Sequence, residues 1–310
     1  MLEIIKPGPQ LSIQDLGRFG YRHLGISQSG AIDSDAMRIA NMLVSNEETV
    51  PVLEITLGMA QFKFHKATIF ALCGADMSAN LDAKRIDTGW CYQAQAGQTL
   101  TFATSAKSLR CYMSIHGGVD CPLTLGSAST DIMAQLGGCH GQLLSAGDTL
   151  NYAHCDTPVT QWGAQTPVRE GPIHFVVDPR VQGLTEPQQA QFCAQQWQVS
   201  AQSNRMGLRL TSGAPADSLQ HDLSIRTTAV RPGTIQLPPS GDPIVLLNDC
   251  QTTGGYPILG QVIKGDLPRL GQKRGGDMMQ FKAVTIEQAR NLNYQHQGQL
   301  NRLRIATDYN

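Results

Sequence analysis

The chain has 310 residues, a length at which two domains of roughly 150 residues each are expected. Lys plus Arg (24) nearly balance Asp plus Glu (25), and charged residues make up only 16% of the chain, with no basic block or stripe. Nucleic acids and anionic membranes are therefore poor candidates as partners. The 31 glycines and the low charge are typical of short strands joined by tight turns.

The eight cysteines are scattered, with no CxxC pair and no Cys/His spacing of the zinc-site type. We therefore predict reduced, partly buried thiols and no metal site. Residues 1–8 break after two apolar pairs, which matches neither a secretory signal nor a membrane span. A cytoplasmic protein is the expectation.

Apolar runs bounded by Gly, Pro or Asp predict strands, and several lie about ten residues from the next, as in sandwiches and barrels. These runs are Leu2–Ile5, Ala67–Leu72, Thr99–Phe102, Arg110–Ile115, His174–Val177, Thr234–Leu237, Ile244–Leu247 and Met278–Phe281.

Helical periodicity is sparse and predicts only a few short helices, so the chain is mainly β. Ser34–Leu43 is the first, with Asp33 or Ser34 as N-cap, and Glu186–Ala194 is the second. Thr285–Leu292 is the third; Thr285 and Gln288 are placed to form a capping box, and the C-terminal tail extends the helix.

The segment 151–171 has no sustained periodicity and is the best candidate for a linker. We place the domain boundary near residue 165, giving domains 1–165 and 166–310, with the possibility that the chain crosses back between them. Polar, Gly-rich loops lead into strand pairs in both halves, a weak indication of two related barrels.

The first polar constellation follows Gln14. Asp15 and Arg18 can pair with each other, or Arg18 can present its guanidinium to a carboxylate or phosphate while Gly17 and Gly20 admit a close backbone approach. A structural ion pair explains these two residues equally well. Asp33 and Arg38 add further charge within a short stretch of a charge-poor chain, so all four are pocket candidates.

The second constellation runs from Ser114 to Gly141. His116 ends a predicted strand beside two glycines, where a general base fits, although a histidine satisfied by backbone in a turn is the commoner arrangement. Asp120, Ser127 and Thr130 are further pocket candidates among glycines whose N–H groups suit an anion, or equally a β-turn.

The richest segment is Asn248–Pro257, where an apolar strand opens into hydrogen-bonding side chains and two glycines. Asp249 is a possible acid or base, or else a turn-forming residue. The nearby arginines Arg205 and Arg231 are candidates to hold a substrate carboxylate. The remaining substrate-binding candidates of this segment are Gln251, Thr252, Thr253 and Tyr256.

Several motifs are missing from the sequence. No GxxxxGK[ST] is present, which excludes a P-loop, and no G-x-S-x-G marks a serine hydrolase. No Met-Lys-Met tripeptide is present to carry biotin, so any biotin chemistry would need a carrier on another chain.

Taken together, the motifs resemble the family called allophanate hydrolase subunit 2, or biotin-dependent carboxyltransferase-like proteins, and within it the C subunits of 5-oxoprolinase. The resemblance spans about residues 1–290 and brings Glu54 into the set of pocket candidates. The matching motifs are Gln14–Arg18, Ser29–Asp33, Leu53–Gly58, Gly117–Asp120, Gly126–Thr130, Asn204–Gly207 and Gln251–Pro257.

The resemblance implies two cyclophilin-like β-barrels in a cytoplasmic protein that joins the 5-oxoprolinase subunits A and B. The second of these is the more direct partner, and a heterotetramer or larger assembly is expected. The resemblance also implies that the complex uses ATP to hydrolyse 5-oxoproline to glutamate and that this chain alone is inactive. The residues do not indicate which of the three chains binds ATP.

Two other functions are compatible with the family. Related members transfer a carboxyl group from biotin to urea, and others bind and control a kinase-inhibitor-like partner that resembles the B chain of 5-oxoprolinase. The chain departs from the family pattern at Ala128, where an Arg is common, and also at Asn204 and Gly265. The missing Arg at 128 moves the expected anion contacts towards Arg18, Arg205 and Arg231.

Overall fold

The structure is a computed structural model, and it describes residues 1–155, 162–164, 166–167, 169–179, 186–212, 219 and 225–308. The chain divides into two compact units. The first unit comprises Met1–Phe19, Ser29–Pro167 and Gln299–Asn310, and the second comprises Gly20–Gln28 and Val168–Gly298. Each unit therefore contains a segment from the opposite half of the chain, whereas the predicted boundary at 165 described two unbroken halves between which the chain was allowed to cross.

The first unit contains two antiparallel sheets, in the orders β11-β1-β4-β9-β6-β7 and β2-β3-β10-β5-β8. The strands are β1 Leu2–Lys6, β2 Gln10–Gln14, β3 Val52–Thr56, β4 Gln61–Phe64, β5 Thr68–Gly74, β6 Asn80–Leu81, β7 Lys84–Arg85, β8 Trp90–Ala94, β9 Thr99–Thr101, β10 Arg110–Ile115 and β11 Thr149–Leu150.

Strand β10 shows how the first unit is layered. Successive side chains of a strand point to opposite faces. Cys111, Met113 and Ile115 accordingly join the core between the sheets, whereas Tyr112 joins a second core built on α1 (Ser34–Leu43). All six residues of β10 are buried, as expected for a central strand covered on both faces.

The second unit is built on an eight-stranded sheet in the order β20-β13-β14-β17-β16-β19-β12-β21, beside a two-stranded ribbon, β15-β18. The strands are β12 Ile173–Val177, β13 Trp197–Val199, β14 Gly207–Thr211, β15 Thr228–Ala229, β16 Thr234–Gln236, β17 Ile244–Leu246, β18 Thr253–Gly254, β19 Ile258–Val262, β20 Met278–Met279 and β21 Phe281–Ala283. Only Gln280 separates β20 from β21, the two ends of the large sheet, so this sheet almost closes into a barrel.

Four aromatic side chains form the centre of the second unit. Phe192 stacks on Phe281 with ring centroids 4.8 Å apart, and Phe175 meets Phe192 edge to face at 5.5 Å. The indole of Trp197 is fully buried and donates a hydrogen bond to the carbonyl of Phe192 at 3.0 Å. This packing attaches α2 (Glu186–Ala194) to the sheet.

The mainly β architecture is confirmed, and so are the predicted bounds of α1 and α2. The remaining helices are α3, Leu267–Gly271, and α4, Ile286–Asp308. Helix α4 is 23 residues long, so the tail does extend it, and Thr285 and Gln288 form the predicted capping box, with N···O distances of 3.0 and 3.1 Å. Within the described ranges, no helix combines the length and apolar character that crossing a bilayer requires.

Candidate functional site

The first polar cluster lies in the first unit and consists of Asp15, Arg18, Ser127 and Ser129, all buried. The Oδ1 of Asp15 accepts hydrogen bonds from Ser127 Oγ at 2.6 Å and Ser129 Oγ at 2.5 Å, and Oδ2 accepts one from the backbone of Ala128 at 2.7 Å. The Asp15 carboxylate therefore holds the loop 127–129 in place.

Arg18 holds the same loop from its other side. Its Nε donates to the carbonyl of Thr124 at 3.1 Å, and its Nη2 donates to the carbonyl of Ser129. The side chain is only 1% exposed. Thr130, the next pocket candidate, donates its hydroxyl to the carbonyl of Ile13 at 3.0 Å. The structure thus brings four predicted residues, Asp15, Arg18, Ser127 and Thr130, into one loop-holding network.

A second buried cluster in the first unit contains Glu54 and Asp33. The Tyr112 hydroxyl donates to Glu54 Oε2 at 2.8 Å and accepts from the Asp33 N–H at 2.9 Å, while Arg110 Nε lies 3.3 Å from Glu54 Oε1. Burial, and next the charge of Glu54, raise the pKa of Tyr112 well above its ordinary value. Asp33 also caps α1 by accepting from Ala36 N at 3.0 Å, so this cluster ties that helix to β3 and β10.

The other candidates of the first unit stand apart in the hydrogen-bond pattern. His116 is half-buried, and its Nδ1 lies 2.8 Å from the carbonyl of Val44, which can only accept, so Nδ1 carries the hydrogen. Arg38 Nε lies 3.6 Å from Glu48 Oε2. Asp120 is exposed. His116 thus has the backbone-satisfied geometry that was the alternative to a general base.

In the second unit, Arg205 and Asp249 form a buried ion pair with two contacts, Nε to Oδ2 at 2.7 Å and Nη2 to Oδ1 at 2.9 Å. The two residues that sequence reasoning assigned to substrate binding and to acid–base chemistry therefore bind each other. Arg231, the third predicted anion contact, is exposed, and its backbone N–H donates to Thr234 Oγ1 at 3.1 Å.

The Gln251–Tyr256 loop follows this ion pair and is open to solvent at Gln251, Thr253 and Tyr256, whereas Thr252 is half-buried. Arg22 holds its start. The Nη2 of Arg22 donates to the carbonyl of Gln251 at 2.8 Å and to that of Val230 at 2.6 Å, which links β18 to the chain after β15. Arg22 belongs to the first polar constellation of the sequence, where it was not selected as a binding residue.

Gln236 was also missed. It is 1% exposed in β16, and its Oε1 accepts a hydrogen bond from Gln251 Nε2 at 3.5 Å. A glutamine flanked by Ile235 and Leu237 in an apolar strand was the available signal, because an amide in such a position must find partners in the interior.

A third missed group centres on Asp266, which is 2% exposed. It accepts from both the backbone N–H and Nδ1 of His174 at 2.8 Å, and Arg269 Nη1 and Arg169 Nη1 lie at 3.1 and 3.3 Å. Burial alone raises the pKa of Asp266, but the His174 hydrogen bond and the charge of Arg269 outweigh it and lower this pKa overall.

Metal chemistry has no cluster to build on in the described part of the chain, since no three His, Cys, Asp or Glu side chains come together there. All eight cysteines lie within that part and are reduced thiols. Burial raises the pKa of Cys250 to about 11, although Arg22 acts in the opposite direction, so this thiol stays protonated at neutral pH.

Comparison with known proteins decides the family. A family model described as carboxyltransferase domain, subdomain A and B, matches residues 24–283. The chain belongs to this family. The family-level resemblance inferred from the motifs is thereby confirmed.

Two curated relatives match along nearly their whole length. The C subunit of 5-oxoprolinase from Escherichia coli is 38% identical over 297 residues, which is 93% of each chain, and that from Haemophilus influenzae is 37% identical over 309 residues, 99% of each. The solved structure of K. lactis urea amidolyase superposes with a TM-score of 0.86 at 28% identity; the match covers 97% of this chain but 20% of that one.

Proposed function

We propose that this chain is a subunit of an ATP-dependent 5-oxoprolinase complex that hydrolyses 5-oxoproline to glutamate. The length of the match carries the proposal. At 37–38% identity the chain corresponds to 93–99% of two 5-oxoprolinase C subunits, whereas it corresponds to 20% of the urea amidolyase chain. The similarity to 5-oxoprolinase thus concerns a whole subunit, and the similarity to urea amidolyase concerns one region of a larger protein.

The proposed reaction explains the need for ATP. A lactam is a poor electrophile because its nitrogen lone pair is delocalised into the carbonyl. Phosphorylation of the lactam oxygen would supply a leaving group, and hydrogen-bond donors would stabilise the charge that develops there. In the net reaction, one water is added across the lactam C–N bond, and a second is consumed as ATP becomes ADP and phosphate.

The polar clusters support a role within a complex. In the described part of the chain, the hydroxyls of Ser127 and Ser129 both donate to Asp15, and no histidine joins them, so neither serine has the partner of a hydrolytic nucleophile. We therefore propose that the chain is inactive alone and acts with subunits A and B in the cytoplasm, the second of these being its direct partner.

The test is reconstitution with the cognate A and B chains. We expect ATP hydrolysis and glutamate formation that require 5-oxoproline, and we expect both to stop when this chain is omitted. Activity that persists at the same rate without this chain would contradict the proposal. A Gln198→Met variant, changed at an exposed position of β13, serves as a control for chain quality.

Carboxyl transfer from biotin is the second candidate, and the family description favours it. It predicts that the chain, supplied with a carboxylated biotin carrier, accelerates loss of the carboxyl group when urea or a related amide is added. A reconstituted complex that requires 5-oxoproline and ignores the carboxylated carrier would exclude this candidate.

A further inference from the structure

The amide of Gln236 is a buried donor without an acceptor. Its Nε2 has no hydrogen-bond partner among the residues that the structure describes, and its Oε1 has only the long contact of 3.5 Å to Gln251. An unmet buried donor destabilises a fold, and an apolar side chain of the same shape would not. The position of Gln236 in an otherwise apolar strand therefore calls for a binding partner.

The β15/β18 ribbon covers this amide. A Cβ at residue 254 would overlap Gln236 Nε2, so the glycine is what allows the amide to lie against β18. Thr228 is the cross-strand neighbour of Gly254, and paired residues project to the same face of a sheet. The Thr228 hydroxyl thus lies on the Gln236 side of the ribbon, and it too is buried with no partner in the described ranges.

A cation borders the same ribbon. Arg22 Nη2 binds the carbonyls of Val230 and Gln251, but Nη1 is buried without an acceptor, and no carboxylate within the described residues pairs with this guanidinium. The adjacent Asp249 is already paired with Arg205, and Cys250 is a neutral thiol. The positive charge at the ribbon is therefore not neutralised by the described part of the chain.

We propose that Arg22, Thr228 and Gln236 form a binding site for a small acid that carries a carboxylate and a carbonyl oxygen. The guanidinium suits the carboxylate, and the amide and hydroxyl suit the carbonyl. On the proposed function, the ligand is 5-oxoproline, which has both groups. The ribbon is the element that must open, and it is held by two residue pairs and one further hydrogen bond, from Val230 N to the Thr252 carbonyl.

The test is calorimetric titration of 5-oxoproline into the full chain, with and without the cognate A and B chains, comparing wild type with Gln236→Met. Methionine fills the same space without the N–H donors. We expect affinity for 5-oxoproline to fall about tenfold, the equivalent of one hydrogen bond. We also expect the thermal midpoint to stay the same or rise. Gln236→Glu, which keeps the shape and adds a negative charge, should weaken binding at least as much.

Two matched variants separate binding from stability. Gln198→Met lies at an exposed position and should leave the affinity unchanged. Gln261→Met removes an amide that is engaged with Thr234 and the Pro232 carbonyl, so it should lower the thermal midpoint.

Unchanged affinity in Gln236→Met and Gln236→Glu, or no binding by any wild-type assembly, would overturn this site. Gln236-dependent binding of 5-oxoproline without any 5-oxoproline-dependent ATP hydrolysis would support the site and overturn the proposed function instead.

Discussion

Arg205 and Asp249 bind each other through two parallel contacts of 2.7 and 2.9 Å, in a place where both side chains are nine-tenths buried. The Asp249 N–H also donates to the Arg205 carbonyl at 3.1 Å, so backbone and side chains are joined at the same point. The pair fixes the start of the Gln251–Tyr256 loop.

Breaking this pair on one side should cost more than removing it. Asp249→Asn leaves the Arg205 charge buried and unneutralised, and we expect the free energy of unfolding to fall by about 3 kcal/mol. The double variant Arg205→Met, Asp249→Leu should lie within about 1 kcal/mol of wild type, because a buried pair can be replaced by apolar side chains. Urea unfolding of wild type and both variants measures these values. An equal loss in the single and double variants would contradict the interpretation.

Gly137 and Gly126 provide a matched test of packing around Arg18. Both have a positive φ, +66° and +75°, so alanine is strained at each. A Cβ at 137 would overlap the Ser129 carbonyl and Arg18 Nη2, whereas at 126 it would meet nothing within 4 Å. We expect Gly137→Ala to lose about 1–3 kcal/mol more stability than Gly126→Ala. Equal losses in thermal or urea unfolding would show that the cluster is loosely packed.

Asp266 should make the stability of the second unit depend on acid. Its folded pKa lies below the unfolded value of about 3.9, so its contribution is complete above that value and is lost as the pH falls through the folded pKa. We expect Asp266→Asn to be less stable than wild type by about 1–3 kcal/mol at pH 7. The difference should shrink below about pH 4.

Urea unfolding at several pH values checks the Asp266 prediction. Asp120→Asn, at an exposed position, is the control and should show no such dependence. A stability difference between wild type and Asp266→Asn that stays constant down to about pH 2 would contradict it.

The capping box of α4 can be tested locally. Thr285→Ala removes the hydroxyl that accepts from Gln288 N, and we expect the first turn to lose about 1 kcal/mol, whereas Thr285→Ser should retain most of it. Amide hydrogen exchange of the first turn measures the change directly. Identical protection in the Ala and Ser variants would show that the cap contributes nothing.

Local patterns predicted the elements whose signals are local. The bounds of α1, α2 and β10 and the capping box at Thr285 could be predicted because helical periodicity, capping side chains and uninterrupted apolar runs need no distant partner. Strands β2 and β3 were missed because they bury polar residues, Ser12, Gln14, Glu54 and Thr56. Their partners lie far away in the chain, so no window of sequence contains the reason for their burial.

The sequence by itself determined the family, the mainly β class and the set of polar residues from which a site is built. Only the tertiary structure decided which of those residues are already paired. Arg205 and Asp249 neutralise each other, and Arg18 is held by loop carbonyls more than 100 residues away. Arg22 instead retains a charge that no described carboxylate balances, because pairing depends on distances across the fold rather than on residue type.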